Sequence, residues 1–128
     1  MAKEKADFLS AYYNEEAWGS IRKFSGVHVS IMHQLVATGE ADPEETQNNS
    51  PSIKEFIDFA DEMKDTFSVD VLFHGYRVLP TRDDVRVSLE GFEIKGAIDR
   101  VALISVVNFG RCADEFEIRD DYIRAWWD

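Results

Sequence analysis

The order of apolar and polar positions divides the chain into a front that reads as helix and a back that reads as strand. Leu9, Tyr13, Ala17 and Phe24 fall on one side at helical spacing, with Phe8 and Tyr12 beside them. Residues 8–24 are therefore expected as helix, split where Asn14 can cap a second start. The next run, VHVSIMHQLVATG, carries two signals. Val27, Val29 and Ile31 alternate as in a strand, whereas Ser25 as cap and Gly39 as terminator suit a helix. The helical reading is preferred. The clearest helix spans 52–66, entered through Ser50, Pro51 and Ser52, with Ile53, Phe56, Ile57, Ala60, Met63 and Phe67 as one apolar stripe. Glu55, Asp58, Asp61, Glu62 and Asp65 occupy its other side, and Phe59 falls near them as a lone aromatic.

The back half alternates with period two. Val69, Val71 and Phe73 point one way, and after Gly75 the parity shifts to Tyr76 and Val78. Val85, Val87 and Leu89 repeat the pattern, shifting after Gly91 to Phe92 and Ile94. Folding this hairpin about Pro80–Asp84 brings the two glycines near register, which predicts a paired bulge and a bent sheet. The run VALISVVNF at 101–109 is expected as a central strand covered on both faces, because a helix so apolar needs burial all round. Towards the C-terminus, Phe116 and Ile118 alternate with Glu115, Glu117 and Arg119. Beyond the Arg119–Asp121 break, Ile123, Ala125 and Trp127 share one face, and Tyr122, Arg124 and Trp126 share the other.

Between the halves lies GEADPEETQNNS, polar and acidic, which predicts a mobile acidic loop at about 39–51. Neither half can bury its apolar face alone, so the 128 residues are expected as one domain. The class is α+β, with an N-terminal helical layer packed on a bent, mostly antiparallel C-terminal sheet.

Charge adds a partner class. Lys and Arg number 14 against 25 Asp and Glu, a net charge of −11. The excess is densest in 40–67, where Lys54 and Lys64 face nine carboxylates. Such a field repels nucleic acid and anionic membrane and attracts basic proteins. No apolar run reaches membrane-spanning length. Cys112 is the lone cysteine and the start, MAKEKADF, has no apolar leader segment, so a reducing, cytoplasmic setting is expected.

Motifs for chemistry are sparse. His28 and His33 have no metal-ligand spacing, and His74 stands alone beside Gly75; a packed or exposed histidine is the plainer reading of each. Carboxylates along one helical face do not converge on a metal without a second element. Cys112 precedes Asp114 and Glu115, which disfavour its thiolate. No phosphate loop or nucleophile elbow occurs, so no catalytic residue, metal or cofactor is assigned.

Two functions remain. The preferred one is a non-enzymatic interaction module (an inhibitor, an immunity-type antagonist or an adaptor) engaging a basic protein. Its candidate contacts are Asp58, Phe59, Asp61, Glu62 and Asp65 on the acidic helix and Tyr122, Arg124 and Trp126 on the last strand. The alternative is a small-molecule binder or enzyme with a pocket between sheet and helices, lined by Tyr12, Tyr13, Phe73 and Tyr76 with His74 as the polar group. Homo-oligomerisation through Tyr122 and Trp126 is compatible with both.

Overall fold

A computed structural model describes residues 8–18, 21–46, 49–78 and 87–127. In these, three helices pack on a six-stranded antiparallel sheet of order β1-β2-β3-β4-β6-β5. The strands are β1 (Tyr13–Trp18), β2 (Ile21–His28), β3 (Leu72–Val78), β4 (Val87–Lys95), β5 (Glu115–Arg119) and β6 (Tyr122–Trp126). The helices are α1 (Val29–Ala37), α2 (Ile53–Phe67) and α3 (Arg100–Gly110). The α+β class holds, but the expected N-terminal helical layer does not lead the chain. Residues 13–18 and 21–28, expected mainly as helix, form two strands, and Phe24 sits in the core opposite Gly75. The helical spacing of Leu9, Tyr13, Ala17 and Phe24 is overridden by pairing, with β2 antiparallel to both β1 and β3.

The ambiguous run 27–38 contains both of its signals. Val27 and His28 finish β2, and α1 begins at Val29, burying Val29, Met32 and Leu35. Gly26, at φ +70°, accommodates the register shift between Phe24 and Val27, and Gly39, at φ +80°, follows the end of α1.

Helix α2 starts as its sequence dictates. The Ser52 hydroxyl accepts from the Glu55 amide at 3.1 Å, and the Glu55 carboxylate accepts from the Ser52 amide at 3.0 Å. It ends at Ser68, in the left-handed region at φ 56°. Residues 101–109, expected as a central strand, are instead most of α3. Asp99 caps it, accepting from the Ala102 amide at 2.8 Å. The side it turns inward carries the small residues Ala102, Val106 and Gly110, and Phe116 closes against Gly110.

The core lies between helices and sheet and is aromatic. Phe56 meets Phe73, Phe109 and Trp127 edge-on at 5.8, 5.6 and 5.4 Å between ring centres. Phe59 stacks flat on Phe109 at 4.2 Å.

The hairpin and its two glycines fold together. His74 pairs with Gly91 and Gly75 with Leu89, so Glu90 is the extra residue of a bulge. Neither glycine has a positive φ. Their constraint is space: an added Cβ would lie 2.0 Å from the Ser88 carbonyl oxygen at Gly75 and 2.0 Å from that of Ala125 at Gly91. The proposed turn at 80–84 lies outside the described residues.

The acidic segment 39–51 touches the body at several of its described residues. Ala41 is buried, and its amide donates to Leu35 at 3.0 Å. Glu40 pairs with Arg77 at 2.8 Å, both largely buried, and Glu45 accepts from the Ser88 hydroxyl at 3.1 Å.

Candidate functional site

Helices α2 and α3 lie side by side and leave a groove of about 490 Å³ between them. Glu55, Asp58 and Glu62 form its α2 wall, Ser105 and Asn108 its α3 wall, and the edges of Phe59 and Phe109 its floor. Among the described residues no basic side chain lines it. Lys54, one turn before Asp58, pairs with that carboxylate at 3.1 Å on the open surface. Such an exposed i,i+4 pair contributes only about 0.3–0.5 kcal/mol and leaves the wall strongly anionic.

The outer side of α3 is apolar. Val101 is 61% exposed, Ile104 56% and Val107 37%. On the helix surface Val101 and Ile104 neighbour Ser105 and Asn108, so the apolar stripe borders the groove. Three exposed β-branched side chains along one helix beside an acidic wall form a two-part surface, with apolar contact on one side and charge on the other.

The residues proposed on α2 divide. Asp58 and Glu62 line the groove. Asp61 turns towards α1, 2.9 Å from His33 Nε2, and Asp65 is exposed further along the helix. Phe59, expected as an exposed anchor, is 6% exposed and belongs to the core. Its place on the wheel borders Met63, and the position of α3 covers it. The strand reading of 101–109 removed the element that buries Phe59, so the two errors have one cause.

A second concavity lies on the sheet face opposite the helices. His74, Gly91 and Trp126 are cross-strand neighbours on β3, β4 and β6. Gly91 has no side chain, so the His74 and Trp126 rings approach over it to 4.8 Å. A Cβ on Gly91 would lie 2.7 Å from His74 Nε2. Lys23 and Arg124 place their cationic groups 5.7 and 4.7 Å from the Trp126 ring centre. Glu90, carried out of the ladder by the bulge, lies 3.4 Å from Lys23 Nζ, and its side chain is only 10% exposed. Glu93 accepts from the Tyr122 hydroxyl at 3.1 Å, and burial together with that bond raises the phenol pKa above its ordinary value. The hollow measures about 200 Å³.

His74 Nε2 is buried with no hydrogen-bond partner among the described residues. Burial, then the charges of Arg124 and Lys23, push its pKa down to about 4. The ring is therefore neutral at pH 7.

The pocket expected between sheet and helices does not assemble. Phe73 is fully buried against Phe56, while His74 is on the opposite face of the sheet. Tyr12 and Tyr13 pack at the core's edge, and Tyr76 is half-buried. The structure instead joins His74 to Arg124 and Trp126, and the period-two reading of the last strand holds: Ile123, Ala125 and Trp127 are buried.

Sequence reasoning missed Lys23 and Glu90, which reach the hollow through a strand read as helix and a bulge residue of unknown direction. It also missed Val101, Ile104 and Val107. Asp99, a capping residue immediately before the apolar run, was the signal for that helix. Among the described residues, no three His, Cys, Asp or Glu side chains group as a metal site, and no helix is long and apolar enough to cross a membrane. No protein-family model matches the chain, and no curated protein or solved structure shows significant similarity to it.

Proposed function

We propose that this chain is a non-enzymatic interaction module whose α2–α3 face binds a basic, amphipathic segment of another protein. One observation carries the reading: the exposed Val101, Ile104 and Val107 border a groove walled by Glu55, Asp58 and Glu62. A segment with Lys or Arg along one side and aliphatic residues along the other satisfies both halves of that surface. The carboxylates steer the encounter, and the aliphatic stripe holds the complex. An inhibitor, an immunity-type antagonist or an adaptor acting in a reducing cytoplasm is compatible with such a face. Within this reading Asp58 and Glu62 remain contacts, Phe59 is their structural support, and Tyr122, Arg124 and Trp126 lie on a different surface. Ile104→Glu tests it: the protein that co-purifies with the chain from its native cells should be lost, with folding unchanged. Undiminished recovery of that partner contradicts the assignment.

A further inference from the structure

The hollow over Gly91 is independent of the α2–α3 face, and its chemistry is specific enough to argue. It contains two cations, Lys23 and Arg124, and two carboxylates, Glu90 and Glu93, within about 200 Å³. These charges are incompletely used. Among the described residues Arg124 has no hydrogen-bond acceptor, its nearest carboxylate being the exposed Glu115 at 4.0 Å. Within the same residues Lys23 has one long polar contact, the 3.4 Å approach to Glu90. A half-buried guanidinium is a fork of donors suited to a carboxylate held by two bonds.

We propose that this hollow binds a small zwitterion of the free amino-acid type, its carboxylate on Arg124 and Lys23 and its ammonium on Glu90. Simpler ligands fit less well. A plain anion meets Arg124 and Lys23 but is repelled by Glu90 and Glu93. A plain cation cannot use the Trp126 face in the manner of an aromatic cage, because Arg124 and Lys23 already approach that ring. A ligand carrying both charges a few ångströms apart satisfies each wall without changing the net charge of the site. The volume is below that of drug-sized pockets and suits a molecule of amino-acid size. His74 is neutral here, so it adds no third positive charge. Its ring and that of Trp126 provide the apolar floor, and both depend on the missing side chain at Gly91.

Calorimetric titration of the whole protein with each of the common free amino acids, and with acetate and methylamine as single-charge controls, tests the proposal. At least one amino acid should bind with Kd of about 1 mM or tighter. Acetate and methylamine should bind at least about tenfold more weakly, a difference near 1.4 kcal/mol. Arg124→Gln and Glu90→Gln, each checked for an unchanged fold by circular dichroism, should both weaken binding at least about tenfold. Ile104→Glu should leave it unchanged, so failure here and failure of the interaction-module reading are separate results. Three outcomes overturn the site: no amino acid binds, acetate or methylamine binds as tightly as the best amino acid, or binding survives both substitutions undiminished.

Discussion

Gly91 shows how one missing side chain can organise a surface. Its place between His74 and Trp126 in a cross-strand row lets those rings meet, and the Ala125 carbonyl leaves no room for a Cβ. Gly91→Val should therefore destabilise the fold by about 3 kcal/mol through overpacking, measured by chemical denaturation. A neutral result means that β4 and β6 can separate there without loss. His74 adds a pH dependence. Its pKa is about 4 when folded and near the ordinary histidine value of 6.5 when unfolded. Between these values the unfolded chain binds more protons. The stability owed to neutral His74 is complete above pH 6.5 and is lost as pH falls towards 4, by up to about 3 kcal/mol. His74→Gln should lose less stability than the wild type between pH 7 and pH 4.5. Equal losses contradict the buried, neutral assignment. Phe59→Ala should act chiefly on stability, costing about 3–5 kcal/mol through the cavity left against Phe109 and Phe92. A folded, fully stable Phe59→Ala variant would put the ring outside the core.

At the scale of elements, α2, the paired strands β3 and β4 and the C-terminal strands were legible because their signals are local and mutually consistent. Ser52 and Glu55 form a capping box, the stripe keeps helical period, and paired parity shifts mark the bulge. Residues 13–18 with 21–28, and residues 101–109, were misread for different reasons. In the first, the helical spacing of Tyr13, Ala17 and Phe24 is overridden by the pairing of β2 with β1 and β3. The second is so apolar that burial on both faces was assumed, whereas α3 leaves one apolar side in water. That misfit between composition and burial is what the proposed function rests on, and it was invisible while the run was read as a strand. The acidic segment 39–51 was expected to be mobile, and its described contacts now define a test. Arg77→Ala, which removes the 2.8 Å pair to Glu40, should speed limited proteolysis within this segment relative to the wild type. Equal cleavage rates mean that the ion pair does not hold the loop.

At the scale of the whole molecule, the two concavities lie on opposite sides of one sheet. Helices cover one face and carry an acidic groove bordered by aliphatic side chains; the other face carries a hollow with balanced charges. Within the net charge of −11, residues 40–67, which include α2, hold nine carboxylates against Lys54 and Lys64. Under the proposed function, a field of that sign, acting over roughly 8 Å at physiological salt, should accelerate the approach of a basic partner and weaken with added salt. The most direct measurement of this claim is association kinetics between the chain and the protein that co-purifies with it, at two salt concentrations, for wild type and for Asp58→Lys with Glu62→Lys. The double variant should associate at least about tenfold more slowly at low salt, with a smaller deficit at high salt and little change in dissociation rate. An unchanged, salt-independent association rate would contradict recognition of a basic partner by the α2–α3 face.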